Sequence, residues 1–276
     1  MRHFLPLNSS RRLFYPDPFS KSSMVNNPRQ FQFKIMTLNL RYGNAQDGPN
    51  SWDQNHGSGN RKSIVEDLLQ KYRPDIFCTQ EALHYQILDI ADILKGWEWT
   101  GIAREGGNKG EYSAIFYDSS TLSLLEHNTF WLSKEPDKVG SKSWNAKLPR
   151  IVTWARFRSD TFAKPLYVFN THFSNESTQA RINSAKLLIE SVNKLADGDS
   201  HVFITGDFNS SPESRVWDLL TGGKFADAWF RAERRSGPAY TFHGFEGKDA
   251  KGKNGKRIDW ILYKSRNLMK PKMVKT

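Results

Sequence analysis

Polar clusters stand in this chain where apolar runs end or begin, and their side chains suit hard metal ions, phosphate oxygens and protons. They are Thr37-Leu38-Asn39, Thr79-Gln80-Glu81, Asn170-Thr171-His172, Gly206-Asp207-Phe208-Asn209 and Ile258-Asp259. In an extended segment Asp207 and Asn209 point to one side and Phe208 to the other, toward a core. A bare Asp-x-Asn is commonly a turn. Here Gly206 permits close approach, so Asp207 could position a water and Asn209 could hold a phosphate oxygen.

Asn39 and Glu81 supply the oxygen chemistry that Mg2+ requires, one or two carboxylates with water and substrate phosphate filling the other positions. Mn2+ could substitute. The competing reading for Glu81 is a charge that opens a helix and is favoured by the dipole. His172 reads either as a hydrogen-bonded core histidine or as a donor to a phosphoryl oxygen, held in orientation by a carboxylate, with Glu111 the candidate. Asp259, between the apolar Ile258 and Trp260, needs a partner if it is buried. Arg41, Arg61, Lys62 and Arg150 could clamp a compact polyanion.

Positioning such groups takes strands that end together. Runs rich in β-branched and aromatic residues predict strands at Phe31–Leu40, Ile76–Thr79, Ser113–Tyr117, Ile151–Phe157, Leu166–Phe173, His201–Thr205 and Ile258–Tyr263. Helical spacing predicts Arg61–Lys71, a helix opened by Glu81 and running to Leu94, and a third from Thr178 to Leu195. Half-buried strands mixed with helices point to an α/β layered fold, two sheets packed together with helices outside.

The 276 residues, 38% hydrophobic, can fill a core, and no repeat or linker divides the chain beyond residue 31. One cysteine, Cys78, excludes an intrachain disulfide and reads as a buried thiol. No apolar run reaches the ~18 residues of a membrane span, so no stable membrane insertion is expected. Most of the net charge of +11 lies at the two ends, which weakens the inference of a nucleic-acid partner that such a charge invites. Residues 1–30 read as a disordered extension. Their five Lys/Arg, five Ser and single acid suit a mitochondrial presequence, against which stand Pro6, Pro16 and Pro18.

Taken with Gln80-Glu81, Gly110-Glu111, Thr205-Gly206-Asp207-Phe208-Asn209 and Arg257-Ile258-Asp259-Trp260-Ile261, these clusters resemble, in order, the endonuclease/exonuclease/phosphatase superfamily. That superfamily includes deoxyribonucleases, deadenylases, inositol-polyphosphate 5-phosphatases and neutral sphingomyelinases. The segments Gly43–Trp52, Phe130-Trp-Leu-Ser and Tyr240-Thr-Phe-His-Gly-Phe add a resemblance to a less characterised bacterial and fungal branch. The resemblance implies a four-layer α/β/β/α sandwich over residues 31–276, C-terminally short, in which the final strand could be missing. It also implies a metal pair Asn39 and Glu81, a water-activating Asp207, a phosphate ligand Asn209, and a transition-state donor His172.

One departure matters. The family normally ends on a strand carrying Ser-Asp-His, whose His partners the equivalent of Asp259, whereas the last histidine here is His243 and the tail after Tyr263 reads as strandless. Either the sequence is truncated or the group is lost, and loss of a general acid–base residue typically lowers rates by ~10²–10⁴. His243 could fill the gap from its loop.

The sequence therefore predicts a Mg2+-dependent phosphoesterase, with a phosphodiester in nucleic acid, RNA first, as substrate and a 3′-to-5′ exonuclease as the first expectation. Trp52, Trp144 and Phe242 could stack on bases. The alternatives are a phosphatase or phosphodiesterase acting on small or lipid-headgroup phosphates, and an impaired or truncated member that binds without turnover. A monomer in the cytoplasm or nucleus, or in mitochondria, is expected.

Overall fold

Ile76 and Cys78 face one way along their strand and Phe77 the other, and all three are fully buried, so this segment needs cover on both faces. The computed structural model describes residues 33–53, 60–159, 162–223, 225–246, 255–264 and 271–276, and it provides that cover. β1 (Ile35–Asn39), β2 (Ile76–Gln80), β3 (Trp97–Thr100) and β4 (Ile115–Asp118) form one sheet in the order β1-β2-β4-β3. β5 (Leu122–Trp131), β6 (Ile151–Ser159), β7 (Phe162–His172), β8 (His201–Asp207), β9 (Ala226–Asp227) and, after β10 (Arg234–Ser236), β11 (Asp259–Lys264) build the larger sheet. Its order is β5-β6-β7-β8-β11-β9.

Three apolar clusters separate four layers. Between the sheets, Ile76, Cys78, Ile115 and Tyr117 pack on Ala155, Phe157, Leu166 and Val168. Outside the first sheet lie α1 (Arg61–Tyr72) and α2 (His84–Ile93), burying Val65, Leu69, Ile87 and Ile90. Outside the second lie α3 (Thr178–Leu195), with Ala185, Leu188 and Val192, and α4 (Arg215–Thr221), with Val216 and Leu220. The four-layer α/β/β/α sandwich is therefore present. Side-chain caps fix two of the helix starts: Asn60 accepts from the Ser63 N–H and Ser177 from the Ala180 N–H.

Several expectations change. Glu81 does not open a helix; its backbone is left-handed, φ 60°, and α2 begins only at His84. The turn lifts Glu81 out of the sheet before the helix starts. The chain after Tyr263 is not strandless, because β12 (Met273–Lys275) pairs in parallel with β10. β3 and β5 were not anticipated. β5 is an edge strand whose middle, Glu126 to Asn128, is exposed, so it lacks the continuous apolar run of a central strand. Trp52 is fully buried, its indole N–H donating to Asp89 at 2.8 Å, so it belongs to the core and offers no base platform. The expected extension over residues 1–30 lies outside the described residues, as do Phe31 and Gln32. None of the described helices is long and apolar enough to cross a membrane.

Candidate active site

Strand register brings the polar clusters to one end of the sandwich. Asn39 pairs with Gln80 across β1 and β2, His172 with Asp207 across β7 and β8, and Asp207 with Asp259 across β8 and β11. Because side chains alternate along a strand, paired positions share a face. Beneath them Asn170 clamps the sheets together. Its amide donates to the carbonyls of Thr79 and Ala114 at 2.9 Å each, and its oxygen accepts from Gln80 at 2.7 Å.

Asn39 makes the central crossing. Its Nδ2 donates to Glu81 at 2.8 Å and to Asp207 at 3.0 Å, so one amide joins a carboxylate from each sheet. The Arg41 N–H fixes the amide's orientation by donating to Oδ1 at 2.8 Å. Asp207 also accepts from the Asn209 N–H at 2.9 Å. The motif is held from below by Phe208, which stacks on Trp260 at 4.6 Å and meets Phe173 edge-on at 5.1 Å. Such pairs contribute about 0.5–1.5 kcal/mol each beyond their buried area. Gly206 makes the closest approach: a Cβ there would stand 2.0 Å from the Thr171 carbonyl oxygen.

His172 is buried, and its Nε2 lies 3.0 Å from Nδ2 of Asn209, which also donates to the Phe173 carbonyl. An amide nitrogen can only donate, so Nε2 accepts and the proton of the neutral ring sits on Nδ1. Burial, then the charges of Arg150 and Arg104, hold the imidazole well below its ordinary pKa, so it is neutral at pH 7. Nδ1 has no hydrogen-bond partner. With Arg104, Glu111 and Arg150, His172 lines a cavity of about 10 Å³, room for one water-sized atom.

The carboxylate expected to orient His172 does something else. Glu111 is taken by Arg104 at 2.6 Å, a charge-assisted bond that a neutral imidazole cannot match. Arg150 is buried beside this pair and donates to Asn175 at 3.1 Å; burial lowers its pKa. Its carboxylate neighbours, Glu111, Glu81 and Asp207, act on it only through space.

Asp259 completes the cluster from β11. Its N–H and that of Ile258 both donate to the Thr241 hydroxyl at 3.1 Å. Its Oδ1 is sealed from solvent without a partner. Burial, then the Asp207 charge, pushes the carboxyl up to about 8. Burial likewise raises Asp207, to about 6, with Glu81 adding to the effect. Carboxylates that resist ionising together suit a hard dication, whose charge would relieve them. Among the described residues no three His, Cys, Asp or Glu side chains enclose a metal unaided.

Asn39, Glu81, His172, Asp207, Asn209 and Asp259 thus share one end of the fold, and Arg150 and Glu111 line the cavity next to His172. Arg41 stands at the rim, paired with Asp47 at 3.3 Å and stacked over Tyr42 at 4.4 Å. His243 lies on the loop after Thr241, its carbonyl accepting from the Glu246 N–H. Asn209, expected as a phosphate ligand, has its amide nitrogen engaged by His172 and Phe173, so it positions the imidazole. Arg61 and Lys62 are not free to clamp an anion: Arg61 binds carbonyl oxygens and Asp47, and Lys62 binds Asp89 at 2.6 Å. Sequence reasoning missed Arg104 and Thr241. A serviceable signal for Arg104 was a cation seven residues from Glu111 across a glycine-rich turn.

A profile of the Endonuclease/Exonuclease/phosphatase family matches residues 36–272. Among curated proteins, Carbon catabolite repressor protein 4 homolog 5 of Arabidopsis thaliana is 27% identical over 173 residues, 58% of this chain and 37% of that protein. Protein angel of Drosophila melanogaster is 26% identical over 59% of this chain and 46% of its own length. The match therefore spans less than half of either relative. Among solved structures, a mannosyl-6-phosphatase of Bacteroides thetaiotaomicron is 32% identical with a TM-score of 0.77, covering 84% of this chain and 85% of that one. The human Nocturnin catalytic domain, 17% identical with a TM-score of 0.61, shares the fold.

Proposed function

Because the chain belongs to the endonuclease/exonuclease/phosphatase family, a family of hydrolases of phosphoester bonds, we propose that it is a Mg2+-dependent phosphoesterase acting on a compact phosphate ester. The observation that carries this reading is the Asn39 amide, which joins Glu81 of one sheet to Asp207 of the other beside a neutral His172. Glu81 would hold Mg2+, or Mn2+ in its place, with Asn39 keeping the carboxylate in position. Bound there, the ion would supply Lewis-acid polarisation of a phosphoryl oxygen.

The chain's own groups divide the remaining work. Asp207, oriented by Asn39 and the Asn209 N–H, positions the attacking water and accepts its proton. The free Nδ1–H of His172 and the Arg150 guanidinium supply donors for phosphoryl oxygens in a site where burial strengthens each contact. Asp259, opposite Asp207, retains a proton into the neutral range.

Two supports favour a compact substrate over nucleic acid. The mannosyl-6-phosphatase is 32% identical over 84% of this chain, whereas the Nocturnin catalytic domain, superposed over the same share, is 17% identical. Of the aromatics offered for base stacking, Trp52 is in the core. Hydrolysis of RNA remains the competing substrate reading, supported by the sequence resemblance to deadenylases. The unpartnered Oδ1 of Asp259 favours a different reading, metal and phosphate binding without turnover.

The test is hydrolysis of hexose phosphate, single-stranded RNA, single-stranded DNA and a generic phosphodiester with Mg2+, with Mn2+ and with chelator. Expected is chelator-sensitive release of phosphate, fastest on the hexose phosphate, reduced by about 10²-fold or more in Asp207→Ala. Full activity in a folded Asp207→Ala protein refutes the assignment. Cleavage of RNA alone refutes the compact substrate, and binding without cleavage establishes the non-catalytic reading.

A further inference from the structure

The loop from Thr241 to Glu246 is tied at its start to the strand that carries Asp259 and approaches Arg61 of α1 near its end. At its start the Thr241 hydroxyl accepts the N–H groups of Ile258 and Asp259, and the backbones of Phe242 and Lys256 bond each other in both directions, at 2.8 and 3.1 Å. Near its end the Phe245 ring lies 6.0 Å from the Arg61 guanidinium. Arg61 is anchored in turn on the carbonyls of Leu40, Arg41 and Tyr42 at 3.0, 3.0 and 3.2 Å, the residues that follow Asn39. Tyr42 itself donates its N–H to Glu81 at 3.4 Å.

Phe245 is a poor choice for packing alone. The residue is 49% exposed, and its backbone is left-handed, φ 67°, a conformation that a bulky residue adopts only at a penalty and that glycine adopts freely. Arg61, saturated by carbonyl oxygens and Asp47, has little left for an anionic ligand. Its guanidinium backs the Phe245 ring.

We propose that Phe245, backed by Arg61 and set beside the segment Leu40–Tyr42, forms a stacking wall for the flat face of the group esterified to the substrate's phosphate. The chain then prefers phosphate esters of rings, a pyranose or a nucleobase-bearing sugar, over open-chain esters. This rests on the reading that the neighbouring cluster handles phosphate. Phosphate contacts set the reacting end, and the wall selects what is attached to it.

The experiment is calorimetric titration with Mg2+ present, in an Asp207→Asn background so that nothing turns over. The ligands are inorganic phosphate, glycerol phosphate, a hexose 6-phosphate and a nucleoside 5′-monophosphate. At least one ring ester is expected to bind about fivefold or more tighter than glycerol phosphate, and which one does so identifies the ring. Phe245→Gly, which relieves the left-handed backbone, is expected to keep or raise the Tm, abolish that preference and leave inorganic phosphate unchanged; Phe245→Trp is expected to preserve it. Equal binding of ring and open-chain esters, or a Phe245→Gly protein that keeps the preference, overturns the wall while leaving the phosphate site standing. No binding of inorganic phosphate by the folded protein sinks the phosphate-site reading, and the wall with it.

Discussion

Asp259→Asn should make the protein more stable in alkali while changing it little in acid. Asp259 stands across the β8–β11 pair from Asp207, and its Oδ1 is sealed without a partner. Burial and then Asp207 raise its carboxyl from 3.8 to about 8. A group that holds its proton more tightly in the folded state stabilises the fold below its unfolded value and loses that contribution as pH rises through the folded one. The wild type should therefore lose stability between about pH 4 and pH 8. That displacement corresponds to a ceiling of about 6 kcal/mol, and relaxation and water penetration around the pair bring the expected loss to about 2–3 kcal/mol. Asn has no charge to lose, and its amide can donate to Asp207. Urea unfolding of both proteins at pH 5 and pH 9, with chelator present, measures the difference directly. The two proteins should differ far less at pH 5 than at pH 9, where the variant should lie above the wild type. Parallel curves at the two pH values refute the account, because they would mean that Asp259 is ionised, or uncharged, throughout. Saturating Mg2+ should flatten the wild-type slope and leave that of the variant alone.

Gly206→Ala would set a Cβ 2.0 Å from a backbone oxygen at φ 143°, so it should destabilise the fold by about 2–4 kcal/mol; a Tm within error of the wild type would contradict the β7–β8 register. Glu81→Ala should weaken Mg2+ binding, measured by calorimetry, by about tenfold or more, and an unchanged isotherm would remove Glu81 from the ligand set. Arg150→Met replaces a buried guanidinium bonded to Asn175 but to no carboxylate. Stability should hold or rise, while affinity for inorganic phosphate should drop about tenfold or more; a variant that binds phosphate normally would show that Arg150 serves only the fold.

What could be read from the sequence follows from how local each decision is. α3 appears at its expected bounds, Thr178 to Leu195, because its apolar spacing and its Ser177 cap lie within the segment itself. The central strands were equally legible, since a strand buried on both faces must be apolar throughout, as Ile76–Thr79 is. Edge strands were not. β5 needs apolar residues only where β6 and the core meet it, so its exposed middle reads as loop. The site divides in the same way. Asn39, Asp207 and Asp259 stood out as polar residues at strand ends, but the partner of Glu111 is decided by the bridges joining Ala82 and Ala103 to Tyr112, which bring Arg104 against it. Trp52 misled for a related reason. It sits among polar loop residues in sequence, and only the fold places it under α1 and α2 beside Asp89.

The same contrast explains why so many amides accompany so few carboxylates at this end of the sandwich. Apolar packing between the sheets, Ile76 to Val168, can fix their spacing but not their sliding register, because such contacts are non-directional. Hydrogen bonds are directional. Asn170 reaches two carbonyls of the first sheet, Gln80 reaches Thr37 and Asn170, and Asn39 reaches Glu81 and Asp207. Asn170 and Gln80 are fully buried, so a slip of one residue would strand several polar groups at about 1–3 kcal/mol each. The crosspieces lie directly beneath the carboxylates, where an error in register would separate Glu81 from Asp207. Two sheets contribute one half of the site each, and the neutral amides beneath lock the halves together without adding to the charge that the carboxylates already concentrate there.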